Sequence, residues 1–589
     1  MIEIRGWVRR WPWWVTVGLG AVCVALGVLL IGRPFRSLTV LVWWTAAGLL
    51  FAGVSELLAL RASRRWSTRV GGVLLVAAAV VLVSWPHITI FGLAIAAGVA
   101  LVLRGLLRVV EGWSERGFDR WIDWMVGVAY IGLGVVALSW PTATVLVLAV
   151  VFGVAVTIAG VRTIAAGLRA YRNPDGTHDS ATGWPTAVRL VGAVVVLALA
   201  AGAVAISVAV RRAGPSEPDA FYTAPSPLPD LPPGSVLRSE EISNFTPDAT
   251  TWRVLYMSTG FDGAPAAVSG LVVVPDAPAP AGGRKIIGYT HGTVGVASRC
   301  APSAQGLEWG DFMRSEGIAA FVDAGYVVAA TDYQGLGTRG PHPYLVGTAE
   351  GMDELDMIRA AQQIPGADAS NDVALWGHSQ GGHASLFTAQ LSASYAPELN
   401  VVGVAAGAPA PDVVALFEQN IDSPVGKILI SMALAAWADV YDAATLDQIL
   451  TVTARPIVRK LARTCLYSEL EVVGAFPASL TLGISFLSNP PWTTEPWKGF
   501  IATNNPGRVT LGVPVLLTQG AADEIVPPAV TEALLQRLCE NGDPVELRLL
   551  DGIGHLDGGP AAVPDVTKWI AARFAGGPMP TNDCPTGSG

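Results

Sequence analysis

One serine of this chain lies between two glycines in a context that suits a nucleophile. Ser379 is the centre of Gly377-His378-Ser379-Gln380-Gly381, which follows the apolar run 372–376 and leads into a helical pattern from Gly382. A strand, a sharp turn and a helix in this order form a nucleophile elbow, in which the two glycines leave room for a strained turn. The pattern predicts that the Ser379 hydroxyl stands above a sheet for covalent catalysis, with the Gln380 N–H at the start of the helix as an oxyanion donor.

A serine hydroxyl needs a base that accepts its proton and a carboxylate that orients the base. When the serine lies on a nucleophile elbow, the acid and the histidine follow it in that order, on loops after the last strands. His555 follows Ser379 at a long distance, in a glycine-rich loop directly after an apolar run. We therefore predict His555 as the base.

Asp523 is the predicted acid, because it lies at a turn four residues beyond the apolar run 514–519. Its neighbour Glu524 remains an alternative. Two further carboxylates, Asp551 and Asp557, lie too close to His555 along the chain to be its partners. The choice rests on loop position alone, since both neighbouring residues carry the required carboxylate.

The oxyanion hole requires a second donor from an upstream loop, besides Gln380. Two loops qualify. Residues 289–293 end at Thr293 and contain a glycine that allows close backbone approach, whereas residues 331–337 contain Asp332. The composition of the two loops does not choose between them.

The histidines of the C-terminal half lack the spacing of a zinc site, so we predict neither a metal nor an organic cofactor. In that half, the histidines outside the predicted triad are His291, His342, His378 and His383. The four cysteines of the same half are Cys300, Cys465, Cys539 and Cys584. An even number of cysteines in a domain predicted to face outward indicates two disulfides, for which the sequence permits three pairings.

The two halves of the chain have opposite charges. Residues 1–212 contain nineteen arginines, no lysine and eight acidic residues, whereas the remainder contains 19 basic and 39 acidic residues. The mean hydropathy of +0.46 is too high for an ordinary soluble protein of 589 residues. We therefore predict a basic transmembrane domain and an acidic soluble domain, without the basic patch that nucleic-acid binding requires.

Seven apolar stretches of the first half are long enough to span a bilayer. They lie near residues 13–32, 38–60, 70–85, 88–108, 122–139, 143–167 and 190–210. Fifteen of the nineteen arginines fall in the N-terminal tail or in alternate loops, and arginine-rich segments stay in the cytoplasm. The predicted location is therefore the plasma membrane, as a multi-pass protein with its catalytic domain on the extracellular side.

The first six stretches have the pattern of three hairpins. Turn motifs at intervals of 52 and 55 residues separate the two apolar runs of each hairpin: Gly32-Arg33-Pro34, Ser84-Trp85-Pro86 and Ser139-Trp140-Pro141. Over residues 8–172 this array resembles the membrane family of acid-resistance proteins related to HdeD, also called domain of unknown function 308. We predict that it anchors the chain or assembles it into homo-oligomers.

Residues 213–235 are rich in proline and small residues and are predicted to form a linker. In residues 236–589, short apolar runs alternate with amphipathic stretches. The runs cover 270–274, 285–289, 326–331, 373–376, 401–405, 513–518 and 545–550. Short buried strands separated by helices indicate a mostly parallel sheet, and together with the elbow they predict an α/β-hydrolase fold.

Residues 412–512 are inserted between the strand after the elbow and the strand that carries the acid, where this fold builds a helical cap. Two segments of the insertion, 428–437 and 480–487, are strongly apolar. The cap either shapes an acyl pocket that selects medium or long lipid chains, or it covers the sheet. The sequence leaves both interpretations open.

From about Pro233 to its C-terminus the chain resembles the secretory lipase family. The resemblance rests on six segments: Tyr289–Gly295, Arg299–Ser303, Thr331–Gly337, His342–Tyr344, Gly377–Gly382 and Tyr395–Leu399. The N-terminus departs from the family, whose members begin with a cleavable signal, whereas this chain begins with long apolar stretches.

The resemblance implies a triad of Ser379, Asp523 and His555 and an upstream oxyanion donor at the position of Asp332. It also implies two disulfides, which would join Cys300 to Cys465 and Cys539 to Cys584. The function predicted from these features is a membrane-anchored serine esterase or lipase that hydrolyses carboxylic esters of lipids. One alternative is a serine peptidase on the same fold. The other is a membrane stress or assembly protein whose hydrolase domain serves as a binding module.

Overall fold

The computed structural model describes residues 118–139 and 217–584 and isolated residues between 14 and 201. Within the second range it leaves out 243–244, 247, 306–312, 468–474, 477, 484–485 and 579–581. Contacts between Cα atoms divide the chain into two compact units, Met1–Gly214 and Pro215–Gly589. The two disulfides lie in the second unit, as does the sheet.

In the first unit, helix α1 spans Phe118–Ser139 and overlaps the stretch predicted as the fifth span. Arg108 forms an ion pair with Asp123 in the first turns of this helix. No helix among the described residues has the length and apolar character that crossing a membrane requires. The other predicted spans lie wholly or largely outside the described residues, so the predicted membrane helices are not confirmed.

The second unit is built on one mixed sheet of nine strands, in the order β1-β2-β3-β5-β4-β6-β7-β8-β9. The strands are β1 Val236–Ile242, β2 Ala249–Thr259, β3 Pro265–Pro275, β4 Arg284–Thr290, β5 Val327–Thr331, β6 Ala369–His378, β7 Asn400–Gly407, β8 Val515–Gly520 and β9 Val545–Leu550. β1, β2, β3 and β5 pair antiparallel, and the pairs from β5 to β9 are parallel. The predicted parallel sheet is therefore present, with two further strands, β1 and β2, that the apolar pattern did not predict.

Helices connect the strands and cover both faces of the sheet. They are α2 Ala319–Asp323, α3 Gly347–Ala361, α4 Gln380–Tyr395, α5 Val413–Asn420, α6 Pro424–Val440, α7 Leu446–Ile449, α8 Arg455–Leu461, α9 Trp497–Thr503, α10 Pro528–Glu540 and α11 His555–Phe574. A π-helical turn, Arg314–Ile318, precedes α2. Crossovers through helices are what parallel strands require.

Side-chain alternation along the central strands creates two cores. In β6, Val373 and Leu375 pack into a cluster with α3, α4 and α10, whereas Ala374 and Trp376 pack into a second cluster with α2 and α11. Successive residues of a strand point to opposite faces, so these clusters are the two sides of a three-layer arrangement. The nucleophile elbow and the helix that begins at His555 thus meet at the same edge of the sheet.

Helices α5 to α9 lie between β7 and β8, in the region predicted to form the cap. They have a hydrophobic core of their own, with Trp437, Phe486 and Trp497 almost completely buried. Cys300 and Cys465 form a disulfide that connects the loop after β4 with this region, and Cys539 and Cys584 form the other. Both disulfides have the pairing that the family resemblance implies.

Candidate active site

Ser379 lies at a strained turn between β6 and α4, with φ 59° and ψ −118°. Both flanking glycines are needed for steric reasons. A Cβ atom added at Gly377 would lie 2.3 Å from Oγ1 of Thr290, and one added at Gly381 would lie 1.9 Å from the Thr290 carbonyl oxygen. The end of β4 therefore packs directly against the elbow, and the half-buried Ser379 is held at the start of a helix.

His555 is the first residue of α11 and lies beside the elbow. Its Nε2 atom is 2.9 Å from the Oγ atom of Ser379, and its Nδ1 atom is 2.8 Å from Oδ2 of Asp523. The structure thus brings the three residues of the predicted triad into one hydrogen-bonded chain. Glu524, the alternative acid, is exposed.

The Asp523 carboxylate is fixed by its own loop. Its Oδ1 atom accepts hydrogen bonds from the N–H groups of Ile525 and Val526, at 2.9 and 2.8 Å, and its Oδ2 atom accepts one from the Gln519 amide at 3.1 Å. Burial alone would raise the pKa of Asp523, but the hydrogen bonds from His555 and the loop amides outweigh burial and lower this pKa below its ordinary value. Asp523 therefore stays ionised and orients His555.

His555 is suited to accept a proton near neutral pH. Burial lowers the pKa of its imidazole below the ordinary value, and the hydrogen bond to Asp523 opposes this effect. The net lowering keeps the ring neutral, with Nδ1–H donating to Asp523 and Nε2 free to accept the Ser379 proton. These are the properties of a general base.

Thr293 and Gln380 lie together at the site, whereas Asp332 does not. Thr293 and Gln380 both line the cavity beside Ser379. Asp332 is absent from that lining, and its N–H donates to the carbonyl oxygen of Ser269 at 2.8 Å. Its carboxylate accepts hydrogen bonds from the Ser269 hydroxyl at 2.6 Å and from the N–H of Ser303 at 2.9 Å. The N–H of Asp332 is thus already paired with Ser269, and the oxyanion role that the resemblance implies for Asp332 stays a prediction.

The cavity beside Ser379 has a volume of about 60 Å³. It is lined mainly by apolar side chains from the loop before α3, from the loop after β7, from α5 and α6 of the cap and from the loop after Asp523. These apolar residues are Leu345, Ala410, Leu416, Phe417, Leu429, Ile430, Ile525 and Val526. An apolar cavity next to a nucleophile can accommodate the hydrocarbon part of a substrate.

Two buried glutamates next to the elbow were missed by sequence reasoning. Glu350, on α3, accepts hydrogen bonds from the Gln380 amide at 2.7 Å and the Leu345 N–H at 3.0 Å, and its other oxygen lies 3.0 Å from Nδ1 of His383. Glu316, in the π-helical turn, lies 3.4 Å from Nδ1 of His378. The pairing of elbow histidines with distant acids was not visible in the sequence, because it arises from the packing of α3 and the π-helical turn against the elbow.

Among the described residues, no three His, Cys, Asp or Glu side chains are grouped in a way that could hold a metal ion. The absence of a metal cofactor therefore remains a prediction.

Two families match this chain in different parts. Residues 313–582 match the family model described as secretory lipase. Three segments, 18–71, 70–134 and 125–205, match the short repeat of unknown function called DUF308. Both resemblances predicted from the motifs are thereby confirmed, and the third repeat match extends beyond the predicted repeat region.

Among curated proteins, the chain is 28% identical over 388 residues to the probable inactive lipase MT1628 of Mycobacterium tuberculosis, covering 63% of this chain and 84% of that protein. It is also 28% identical over 404 residues to the secreted triacylglycerol lipase LIP7 of Malassezia globosa, covering 64% and 84%. The crystal structure of Candida antarctica lipase A in its closed state matches with a TM-score of 0.52 at 22% identity, covering 63% of this chain and 89% of that one. At this identity the structural likeness shows the fold alone.

The predicted location is wrong. A family of secretory lipases and a relative named as secreted point to an extracellular protein, rather than a multi-pass protein of the plasma membrane. The chain thus carries a secretory lipase domain of mixed α/β hydrolase fold in its C-terminal part and DUF308 repeats in its N-terminal part.

Proposed function

We propose that the C-terminal domain is an extracellular serine hydrolase that cleaves carboxylic esters of lipids. The hydrogen-bonded chain from Asp523 through His555 to Ser379 carries the proposal. We further propose that this domain begins near residue 236, after the proline-rich linker 213–235. The secretory lipase family and the names of the relatives support ester hydrolysis as the reaction class.

In the first half of the reaction, Oγ of Ser379 attacks the carbonyl carbon of the ester while Nε2 of His555 accepts the hydroxyl proton. The carbonyl oxygen becomes an oxyanion, which the N–H groups of Gln380 and Thr293 stabilise. Gln380 is the first residue of α4, so its N–H has no acceptor within the helix. His555 then protonates the leaving alkoxide, the C–O bond breaks, and an acyl-serine and the free alcohol result.

In the second half, His555 accepts a proton from a water molecule, whose oxygen attacks the carbonyl carbon of the acyl-serine. The second oxyanion is stabilised by the same two N–H groups. When it collapses, His555 returns the proton to Oγ of Ser379, and the carboxylic acid leaves. Throughout both halves Asp523 stays ionised and stabilises the imidazolium form of His555, without taking up a proton itself.

The apolar cavity supports a lipid acyl chain as the acid part of the substrate. The lining from α5 and α6 supports the interpretation that the cap shapes an acyl pocket. A volume of about 60 Å³ holds a short chain. One relative is named a triacylglycerol lipase, and we propose acylglycerols as the substrate class on that basis.

Hydrolysis of p-nitrophenyl esters from acetate to palmitate by the full-length protein and its Ser379→Ala variant tests this proposal. We expect hydrolysis by the wild type and a loss of about 10³-fold or more in the variant. A relative is named a probable inactive lipase, so the activity itself is the first point to establish. Equal rates for both proteins would contradict the proposal. Labelling of Ser379 by a fluorophosphonate without any ester hydrolysis would instead indicate a different acyl substrate, such as a peptide.

A further inference from the structure

A second histidine lies directly beside the proposed base. His378 precedes the nucleophile, and its ring centroid is 4.9 Å from that of His555, with an angle of 41° between the planes. Both rings are buried, with exposed fractions of 5% and 6%. The reaction steps described above use no atom of His378, so its place next to His555 calls for a separate explanation.

Glu316 is the acidic partner of His378 and is held rigidly. Its Oε1 atom lies 3.4 Å from Nδ1 of His378. Its Oε2 atom accepts a hydrogen bond from the Tyr289 hydroxyl at 2.9 Å, and its backbone carbonyl accepts one from the Trp376 indole at 2.7 Å. Glu316 is 1% exposed. A buried carboxylate needs polar or charged neighbours, and the His378 ring is one that lies next to Oε1.

The Glu316–His378 pair also packs against the first turn of α11, the helix that begins at His555. A Cβ atom added at Gly558 would lie 3.0 Å from Nε2 of His378, and one added at Gly559 would lie 2.5 Å from Oε1 of Glu316. Two successive glycines therefore allow the pair to approach the helix closely. The position of the pair and the position of His555 are mechanically linked through this contact.

Few charges face the two rings from the surrounding elements. Glu316 faces His378 from the π-helical turn, and Tyr289 faces Glu316 from β4. Asp523 and Glu524 face His555 from the loop after β8, and β7 presents Gly407, which has no charge. Among the described residues, the buried Nε2 atom of His378 has no hydrogen-bond partner. The His378 ring therefore faces His555 without another group bound to that nitrogen.

We propose that Glu316 and His378 are positioning residues for His555, and that His378 beside the base opposes protonation of His555 and so extends activity to lower pH. The inference rests on the proposed role of His555 as the base. The direction agrees with electrostatics: burial lowers the pKa of His555, and the neighbouring His378 lowers it further. Neither residue of the pair is a catalytic residue, since their effect passes through His555.

The test is the pH dependence of kcat/KM for a p-nitrophenyl ester in the full-length protein, because its acid limb reports the protonation of the free base. In His378→Gln the neighbour that lowers the pKa of His555 is lost, and Glu316 loses its histidine partner. We expect the acid limb to move to higher pH, with the rate at pH 5.5 relative to pH 8 falling on the order of tenfold. In the double variant Glu316→Gln/His378→Gln both ionisable groups are absent, and we expect a smaller shift in the same direction.

The matched control is His383→Gln, which removes the other glutamate-paired histidine of the elbow. We expect the acid limb of the His383→Gln profile to lie at the same pH as in the wild type, even if the rate of this variant differs. An unmoved limb in folded His378→Gln would overturn the inference, as would an equal shift in the control, which would point to general loosening of the elbow. Melting temperatures show which variants are folded. If His378→Gln is not folded, the double variant Glu316→Gln/His378→Gln is used for the test.

The pH dependence of fluorophosphonate labelling of Ser379 gives a second readout that does not need ester turnover. Absence of ester hydrolysis by the wild type contradicts the proposed function, whereas the labelling profile still reports the state of His555. If the wild-type serine does not react at all, the inference fails together with the proposed function. If the pH profile of labelling is shifted in His378→Gln and not in His383→Gln, this result supports the inference even without ester hydrolysis.

Discussion

Gly381 leaves no space for a side chain beside Thr290, since an added Cβ atom would lie 1.9 Å from the Thr290 carbonyl oxygen. This contact joins the end of β4 to the first turn of α4, on which the position of Ser379 depends. We expect Gly381→Ala to destabilise the domain by about 3 kcal/mol and to abolish esterase activity, because the clash involves backbone that cannot move alone. Gly499→Ala on α9, where the nearest atom is 3.7 Å away, serves as the control. Thermal unfolding and kcat of both variants check the prediction, and an active, stable Gly381→Ala protein would contradict it.

Asp523 and Glu524 are neighbours in the sequence, and it is Asp523 that forms a hydrogen bond with His555, at 2.8 Å. We expect Asp523→Asn to reduce kcat by about 10³- to 10⁴-fold, because an amide cannot stabilise the imidazolium or fix its tautomer. Glu524→Gln, a change of the same kind on an exposed residue, should alter kcat by less than about threefold. A larger loss in Glu524→Gln than in Asp523→Asn would reverse the assignment of the acid.

Burial raises the pKa of Asp353, on α3, to about 8. The Ser258 hydroxyl lies 2.9 Å from Oδ1 of Asp353 and 2.8 Å from Oδ2 of Asp356, and its single proton can serve one of them. A protonated Asp353 satisfies both contacts. The folded state therefore binds a proton that the unfolded state releases near pH 4, and stability falls as pH rises from about 4 to about 8.

We expect the wild type to melt at a lower temperature at pH 9 than at pH 5, by on the order of 5 °C. Asp353→Asn imitates the protonated acid and should show a smaller difference. Calorimetry of both proteins at the two pH values measures this. A variant with the same pH dependence as the wild type would show that another group is responsible.

The Cys300–Cys465 disulfide closes a sequence separation of 165 residues, and Cys539–Cys584 closes one of 45. Loop entropy predicts stabilisation of about 5 and about 4 kcal/mol, respectively. Val294, next to Thr293, accepts a hydrogen bond from the N–H of Leu466 beside Cys465. We therefore expect Cys300→Ser/Cys465→Ser to lower kcat as well as stability. Cys539→Ser/Cys584→Ser should lower stability alone. Activity measured well below both melting temperatures separates the two effects, and equal kcat values would contradict the link to Thr293.

Leu429 of α6 lines the cavity beside Ser379 and is half-buried. We expect Leu429→Ala to lengthen the cavity and to raise the ratio of kcat/KM for laurate over butyrate by about five- to tenfold. Ala410→Leu fills the same cavity and should change the ratio in the opposite direction. Leu549→Ala, on the half-exposed side of β9, is the control. An unchanged ratio in both cavity variants would mean that the cap covers the sheet without selecting the acyl chain.

The sequence alone indicated the central strands and the three residues that we propose as the triad. Strands β3 to β8 contain apolar runs because most of their positions are buried on both faces of the sheet. Gly377 and Gly381 mark the elbow because a side chain at either position would clash with Thr290. β1 and β2 escaped prediction because polar residues interrupt both strands. β1 has only exposed and partly buried positions, and β2 has only partly buried and buried ones. His555 was identifiable because the fold orders acid and base along the chain.

The tertiary structure decided what depends on residues far apart in the chain. It placed Thr293 in the lining of the cavity beside Ser379 and left Asp332 out of that lining. Asp332 is instead hydrogen-bonded to Ser269 and Ser303. It also placed Glu316 beside His378, across 62 positions of sequence that no local pattern spans. Local patterns reflect burial and turn geometry within one segment, whereas hydrogen-bond partners are set by how the segments pack around the sheet. The sequence therefore specified which groups could react, and packing specified which groups surround them.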